Sequence, residues 1–283
     1  MKKILLLLTL MFLLTGCFEE KTEFLNVGVT NYANEFITKQ LYKENSNITS
    51  IYPDGINIST YKTSDKQKQD FAKKDIFIYN GLIEKERDLA VELLDINPSL
   101  KIIDSAYILN TEYAPEELWL NPSSFLMMTQ NIKNGLKEYI DSSYTTEEID
   151  KNYEQLKVTL SEMDAEFRLN FDNSSSKTIV VGNTALEYLE IFDLDVICLD
   201  GDATKKTISD VEKLIKNNSI SYIYTFKDEK LSEEAEALLN NNSNFNRIEL
   251  NKLDNLTDDQ RKTNEDYLSL SKDNLEILKK ELY

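Results

Sequence analysis

The chain contains no histidine among its 283 residues. That removes histidine-based general acid–base catalysis, Ser-His-Asp triads and every histidine-ligated metal site. Cysteine is almost as scarce, with Cys17 and Cys198 alone, so a disulfide framework is excluded. Cys198 lies in the apolar run Val196-Ile197-Cys198-Leu199 and reads as a buried strand thiol, not a reactive one. Glycine and proline number seven and four, and no glycine-rich phosphate loop is among them. With no poised lysine either, the chain is not expected to be an enzyme. Positive charge is also in deficit, 32 Lys and Arg against 50 Asp and Glu, for a net −18. That balance argues against nucleic acid and against an anionic membrane surface as partner. It suits a cation, although most of it reads as solvated surface.

One hydrophobic run is present, and it is short. Lys2 and Lys3 precede Ile4 to Leu14, and Leu14-Thr15-Gly16-Cys17 follows. The run has the length of a signal-peptide core and is too short to span a bilayer. Its end resembles the lipobox of bacterial lipoproteins, in which the cysteine is diacylated and the bond before it is cut. Residues 1–16 are thus expected to be a leader, Cys17 the lipidation site and 17–23 a polar tether. Two acyl chains hold a protein stably at a membrane surface where one does not. With Cys17 acylated, Cys198 has no disulfide partner.

Strand and helix patterns alternate through the rest. Strands are expected at Phe24–Thr30, Ile48–Tyr52, Asp75–Tyr79 and Lys101–Asp104, with helices over 32–43, 66–73 and 82–95. The same grammar recurs after residue 176. Strands are expected at Lys177–Val181, Val196–Leu199, Ile220–Thr225 and Arg247–Leu250. Helices are expected over Thr184–Phe192, Ser209–Asn217 (capped by Ser209), Ser232–Leu239 and Asn264–Leu282. Such alternation predicts βαβ units with a parallel sheet. Between the halves, Ile149, Tyr153, Leu156, Leu160, Met163, Phe167 and Phe171 form one amphipathic stripe. The pattern predicts a helix over 146–172, about 39 Å long. The expected fold is therefore α/β: two Rossmann-like lobes, 24–145 and 173–283, each with a mostly parallel sheet and flanking helices, joined by one long rigid helix. A ligand would sit between them, at the carboxyl ends of the strands.

The order of motifs resembles the extracytoplasmic solute-binding proteins of zinc and manganese ABC transporters. The resemblance runs through Gly55 to Tyr61, then Ile78-Tyr79-Asn80-Gly81, then Trp119-Leu120-Asn121-Pro122 ahead of a helix. It continues through Val180 to Tyr188 and ends at Leu253-Asp254-Asn255-Leu256. The Trp-Leu-x-Pro core is the most specific match and contains the only tryptophan. In that family three histidine positions, one of them Glu in some manganese binders, and a carboxylate hold the ion. Matched residue by residue, those positions carry Ser59, Glu117, Asn183 and Asp254, and only Asp254 keeps the family's ligand type. The resemblance implies a divalent metal as ligand, zinc or manganese. Imidazole and thiolate suit Zn²⁺, whereas these oxygen donors favour a hard cation such as Mn²⁺, Mg²⁺ or Ca²⁺. Asp228 and Glu229, on the loop after the Ile220–Thr225 strand, could add donors.

The resemblance further implies a permease and its ATPase as partners, with a monomer anchored through Cys17 on the outer face of the cell membrane. Abundant Asn, Lys and Ile suggest a Gram-positive host. The alternative is a divergent surface lipoprotein of the same fold, an adhesin or accessory protein that no longer binds metal.

Overall fold

A computed structural model describes residues 24–43, 46–201 and 203–283. The expected leader, Cys17 and the expected tether lie outside these residues. Among those described, no helix is long and apolar enough to cross a membrane.

The first half alternates β1 (Leu25–Val29), α1 (Tyr32–Tyr42), β2 (Ser46–Ser50), α2 (Asp65–Phe71), β3 (Ile76–Tyr79), α3 (Glu84–Ile96) and β4 (Lys101–Asp104). Three helices follow: α4 (Glu117–Leu120), α5 (Pro122–Tyr139) and the long α6 (Ser143–Asp172). The second half runs β5 (Thr178–Val181), a 3₁₀ helix (Thr184–Phe192), β6 (Asp195–Cys198), α7 (Lys205–Lys216), β7 (Tyr222–Phe226), α8 (Glu233–Asn241) and β8 (Asn246–Leu250). It closes with α9 (Asp258–Lys262) and α10 (Tyr267–Leu282). The two sheets share one plan, with strand orders β2-β1-β3-β4 and β6-β5-β7-β8. Every strand pairing is parallel. The α/β expectation of two sheets flanked by helices is met.

The period of two along the central strands divides the interior. Val27, Val29, Ile76 and Ile78 face a large inner core, while Phe77 faces an outer core with Phe71, Leu89 and Leu93. The second lobe repeats this, with Ile179, Val181 and Tyr224 inward and Val180 and Ile223 outward. The inner core is continuous across both lobes. At its centre Phe125 of α5 stacks on Tyr267 of α10 at 3.8 Å, and Phe36 of α1 lies 5.4 Å from the same ring. Every member of the predicted α6 stripe is buried, and Asn152 from that helix donates to the last carbonyl turn of α1 at Leu41 (2.9 Å). Gly28 is needed in β1 because a Cβ there would meet the Phe71 ring at 2.8 Å.

Several expectations are corrected. The long helix begins at Ser143, because the Ser142 side chain accepts from the Thr145 amide. The helix expected from Ser209 starts at Lys205 with Thr204 as its cap, so Ser209 lies inside it. The segment 184–192 is wound as a 3₁₀ helix and ends at Asp193 in a left-handed conformation. The helix expected from Asn264 starts at Tyr267, and a separate short helix, Asp258–Lys262, precedes it, with Asn264 at φ 57° between the two. Each has its own capping box, Thr257 with Gln260 and Asp266 with Ser269. The second strand spans 46–50, and Ile51 and Tyr52 leave the sheet to fill the outer core. Cys198 is free and half-buried, and burial pushes its thiol up to about 11, which keeps it unreactive at neutral pH.

Candidate functional site

Ligands of open parallel sheets collect outside the carboxyl ends of the strands, where the strand order reverses. In the first lobe that point lies between β1 and β3. Chain leaving β1 passes Thr30 and Asn31, and Asn31 caps α1 by accepting from the Asn34 amide (3.0 Å). Chain leaving β3 passes Asn80. All three converge on Glu86 of α3, which is 1% exposed. The Thr30 hydroxyl (2.5 Å) and Asn80 amide (2.8 Å) donate to one carboxylate oxygen, and the Asn31 amide group (3.2 Å) to the other. Burial nevertheless outweighs these donors and raises the Glu86 carboxyl to about 7.

This point opens on a cavity of about 390 Å³ lined by Tyr52, Ser59, Glu86, Glu116, Lys252 and Asp254, among others. A second opening of about 600 Å³ shares Ser59, Lys252 and Asp254 and reaches the loops after β7 and β8. The cavity is therefore walled by both lobes. Trp119 closes its floor at 2% exposure, and its indole N–H donates to the Lys252 carbonyl (2.9 Å). Between Lys252 and Asp254, Leu253 takes φ 63°, a strained conformation for a residue with a Cβ. The turn brings Lys252 Nζ to 3.4 Å from Asp254 Oδ2 and 3.7 Å from Glu116 Oε1. Burial alone would lower the Lys252 ammonium, but the two carboxylates hold it above the usual lysine range. Burial pushes the Asp254 carboxyl up, against the pull of Lys252.

The four predicted donors have different fates. Ser59 lines the cavity, and its hydroxyl donates to Asn57 Oδ1 (2.6 Å). Asp254 lines it too, paired with Lys252. Glu117 is 7% exposed and accepts from the backbone N–H groups of Glu112 (3.2 Å) and Tyr113 (3.5 Å). Asn183 caps the 3₁₀ helix by accepting from the Ala185 amide (2.7 Å) and donates to Glu229. Asp228 is exposed, while Glu229 also accepts from the Phe226 amide (3.2 Å). The structure thus unites Ser59 and Asp254 and engages Glu117 and Asn183 elsewhere. Among the described residues no group of three or more Asp, Glu or Cys side chains is arranged to hold a metal.

Three cavity residues escaped the sequence argument. Glu116 adjoins Glu117, Lys252 stands two before Asp254, and Glu86 follows Asn80-Gly81 by five. Only the first had a signal, the doubled acid of Glu116-Glu117.

The buried Glu86 carries a pH prediction. Its folded carboxyl titrates near 7, and an unfolded glutamate near ~4.3. Between these values the folded state binds more protons, so stability falls as pH rises through the window and levels off above it. Glu86→Gln does not titrate. Urea unfolding should show the wild-type minus Glu86→Gln stability dropping by about 3 kcal/mol between pH 4.5 and pH 8. Parallel pH profiles for the two proteins would refute the assignment.

Residues 27–281 match the family described as zinc-uptake complex component A, periplasmic (ZnuA). The zinc-binding lipoprotein AdcA of Streptococcus pneumoniae strain R6 is 24% identical over 309 residues, covering 99% of this chain and 61% of AdcA. The chain thus spans about three-fifths of that relative's length. The zinc-binding protein AdcA of Streptococcus pyogenes is 25% identical over 169 residues, 57% of this chain and 32% of that protein. Among solved structures, the Zn(II)-bound ZnuA-like domain of S. pneumoniae AdcA superposes with a TM-score of 0.75 at 23% identity, covering 91% of this chain and 98% of that domain. The laminin-binding protein Lmb of Streptococcus agalactiae, described as having adhesin and metal-transporting activity, gives 0.76 at 19% identity, covering 92% and 100%. These structures share the two-lobed fold. A match running from the first strand to the last helix settles descent: the chain belongs to the ZnuA family of zinc-uptake component A proteins, the substrate-binding lineage of metal ABC transporters.

Proposed function

We propose that the chain is an extracytoplasmic solute-binding protein of a metal ABC importer. It captures a divalent cation between its lobes and delivers it to a permease driven by an ATPase. Lipidation at Cys17 would hold the monomer on the outer face of a Gram-positive cell membrane, beside that permease. The role is binding, not catalysis. One observation carries the reading: the family match spans both lobes, and Asp254, the residue that the resemblance assigns to the family's carboxylate, lines the cavity between them.

Relatives described as zinc-binding favour Zn²⁺ as cargo. The donor set favours a harder ion: Ser59 and Asp254 face the cavity, and recruiting Glu117 or Asn183 would cost the bonds each now makes. Oxygen ligands without imidazole suit Mn²⁺ better than Zn²⁺. Calorimetric titration of the chelator-stripped mature protein with Mn²⁺, Zn²⁺, Ca²⁺ and Mg²⁺ tests this. One equivalent should bind, and Asp254→Asn should weaken it at least about tenfold, the loss expected when a site gives up one charged ligand. Silence for all four ions would favour a surface lipoprotein that has shed metal binding, the reading to which the existing pairing of Asp254 with Lys252 lends support.

A further inference from the structure

We infer that Lys252 is a tethered competitor for the cargo: its ammonium occupies the cation position of the cleft, and a metal ion enters only by displacing it. The inference rests on the metal-binding reading above and adds a specificity-determining residue to it.

Four observations carry it. First, Lys252 Nζ lies within ion-pairing distance of two carboxylates from opposite lobes, Glu116 and Asp254. It therefore sits where a small cation would collect. Second, the same ammonium lies 6.0 Å from the centre of the Phe226 ring, so an aromatic face on the second-lobe side also attracts it. Third, the backbone at Lys252 is pinned by Trp119, while the side chain is 33% exposed. A flexible four-carbon stem on a fixed backbone can swing to solvent and return. Fourth, Tyr52 is 2% exposed and lines the cavity, yet its hydroxyl oxygen makes no hydrogen bond within the protein. An unclaimed buried oxygen in the cavity that also holds two carboxylates is what a cation would use once the lysine has left.

The charge arithmetic favours competition over cooperation. A divalent ion between Glu116 and Asp254 would stand close to a like charge while Lys252 remained, a strong repulsion in a partly desolvated cleft. With the lysine in place, the two carboxylates and the ammonium carry a net −1; without it they would carry −2 in a partly desolvated cleft.

The test titrates the mature chain and Lys252→Met, both chelator-stripped, with Mn²⁺ and Zn²⁺. Lys252→Met removes the charge and keeps the length of the stem. It should bind at least about tenfold tighter than wild type, and adding Asp254→Asn should abolish the gain. Lys252→Arg, which keeps the charge, should stay within about twofold of wild type. If Lys252→Met does not fold, Lys252→Gln makes the same comparison. Wild-type binding that Lys252→Met leaves unchanged or weaker would overturn the competitor and leave the importer reading standing. A silent wild type with a binding Lys252→Met would support the competitor and overturn the importer reading. Silence from both would overturn both.

Discussion

Trp119→Ala should cost about 4 kcal/mol of stability, the range for truncating a buried aromatic, and should loosen the joint between the lobes. Trp119 is 2% exposed and sits in α4 on the first-lobe side. Its indole N–H donates to the Lys252 carbonyl at 2.9 Å, and its own carbonyl accepts from the buried Tyr267 hydroxyl at 2.8 Å. Both partners belong to the second lobe. Alanine therefore removes the side chain, opens a cavity and orphans the Lys252 carbonyl. Trp119→Phe separates these effects: it keeps most of the apolar contact and loses the donor, for about 1–2 kcal/mol. Because the chain has one tryptophan, unfolding must be followed by circular dichroism. A loss below about 1 kcal/mol for alanine would show that the joint does not depend on this residue.

Arg261→Met should cost about 3 kcal/mol at pH 7, because it takes the bidentate partner from a buried carboxylate and leaves it only the half-exposed Lys39. Arg261 leaves α9 of the second lobe and forks onto two acids of the first. Its guanidinium donates to both oxygens of Glu35 (2.6 and 2.7 Å) and both of Asp54 (2.9 and 3.0 Å). The Glu35 side chain is 4% exposed. Burial alone would raise its carboxyl, but the Arg261 and Lys39 bonds overcome this and hold it below the usual range. Such a group stabilises the fold above its unfolded value of ~4.3, and that contribution fades as pH falls toward its lower folded value. The gap between wild type and Arg261→Met should accordingly be widest near neutrality and narrow below about pH 4. Urea melts at pH 7 and pH 3.5 read both effects. Adding Glu35→Gln should recover much of the loss at pH 7, since the under-compensated buried charge is then gone. A double variant as unstable as the single would point instead to lost packing over Tyr32, whose ring lies 5.2 Å from the guanidinium.

Much of the architecture was legible because it is written in periodicity. The α6 stripe needed only spacing, since a helix this long must bury one face. The alternation of strands and helices implied parallel sheets, since parallel neighbours need a crossover. Local errors arose where two signals competed. Ser209 and Thr204 are both credible caps, and only the buried Val211 and Ile215 decide where the helix is anchored. Asn264 looked like the start of one helix, but a left-handed residue there ends a short helix before the next begins. The site was less legible than the fold for a geometric reason. Consecutive helical residues point about 100° apart, so Glu116 and Glu117 face different surroundings. One reaches the cavity and the other holds its own loop. Lys252 was invisible because its meaning depends on the left-handed turn at Leu253, which no pattern in the sequence announces.

The shared inner core has a consequence for how the chain reaches its fold. Tyr267 is stacked on Phe125 and close to Phe36, so the first lobe is finished by a residue near the far end of the sequence. A chain threaded through a membrane pore from its N-terminus cannot complete that lobe until the last helix has crossed. Loop closure over such a separation is slow, and the half-made first lobe would expose the apolar surface that later meets α10. Folding of the first lobe is thereby tied to the last helix: until Tyr267 is available, the faces of Phe36 and Phe125 that it covers have no partner.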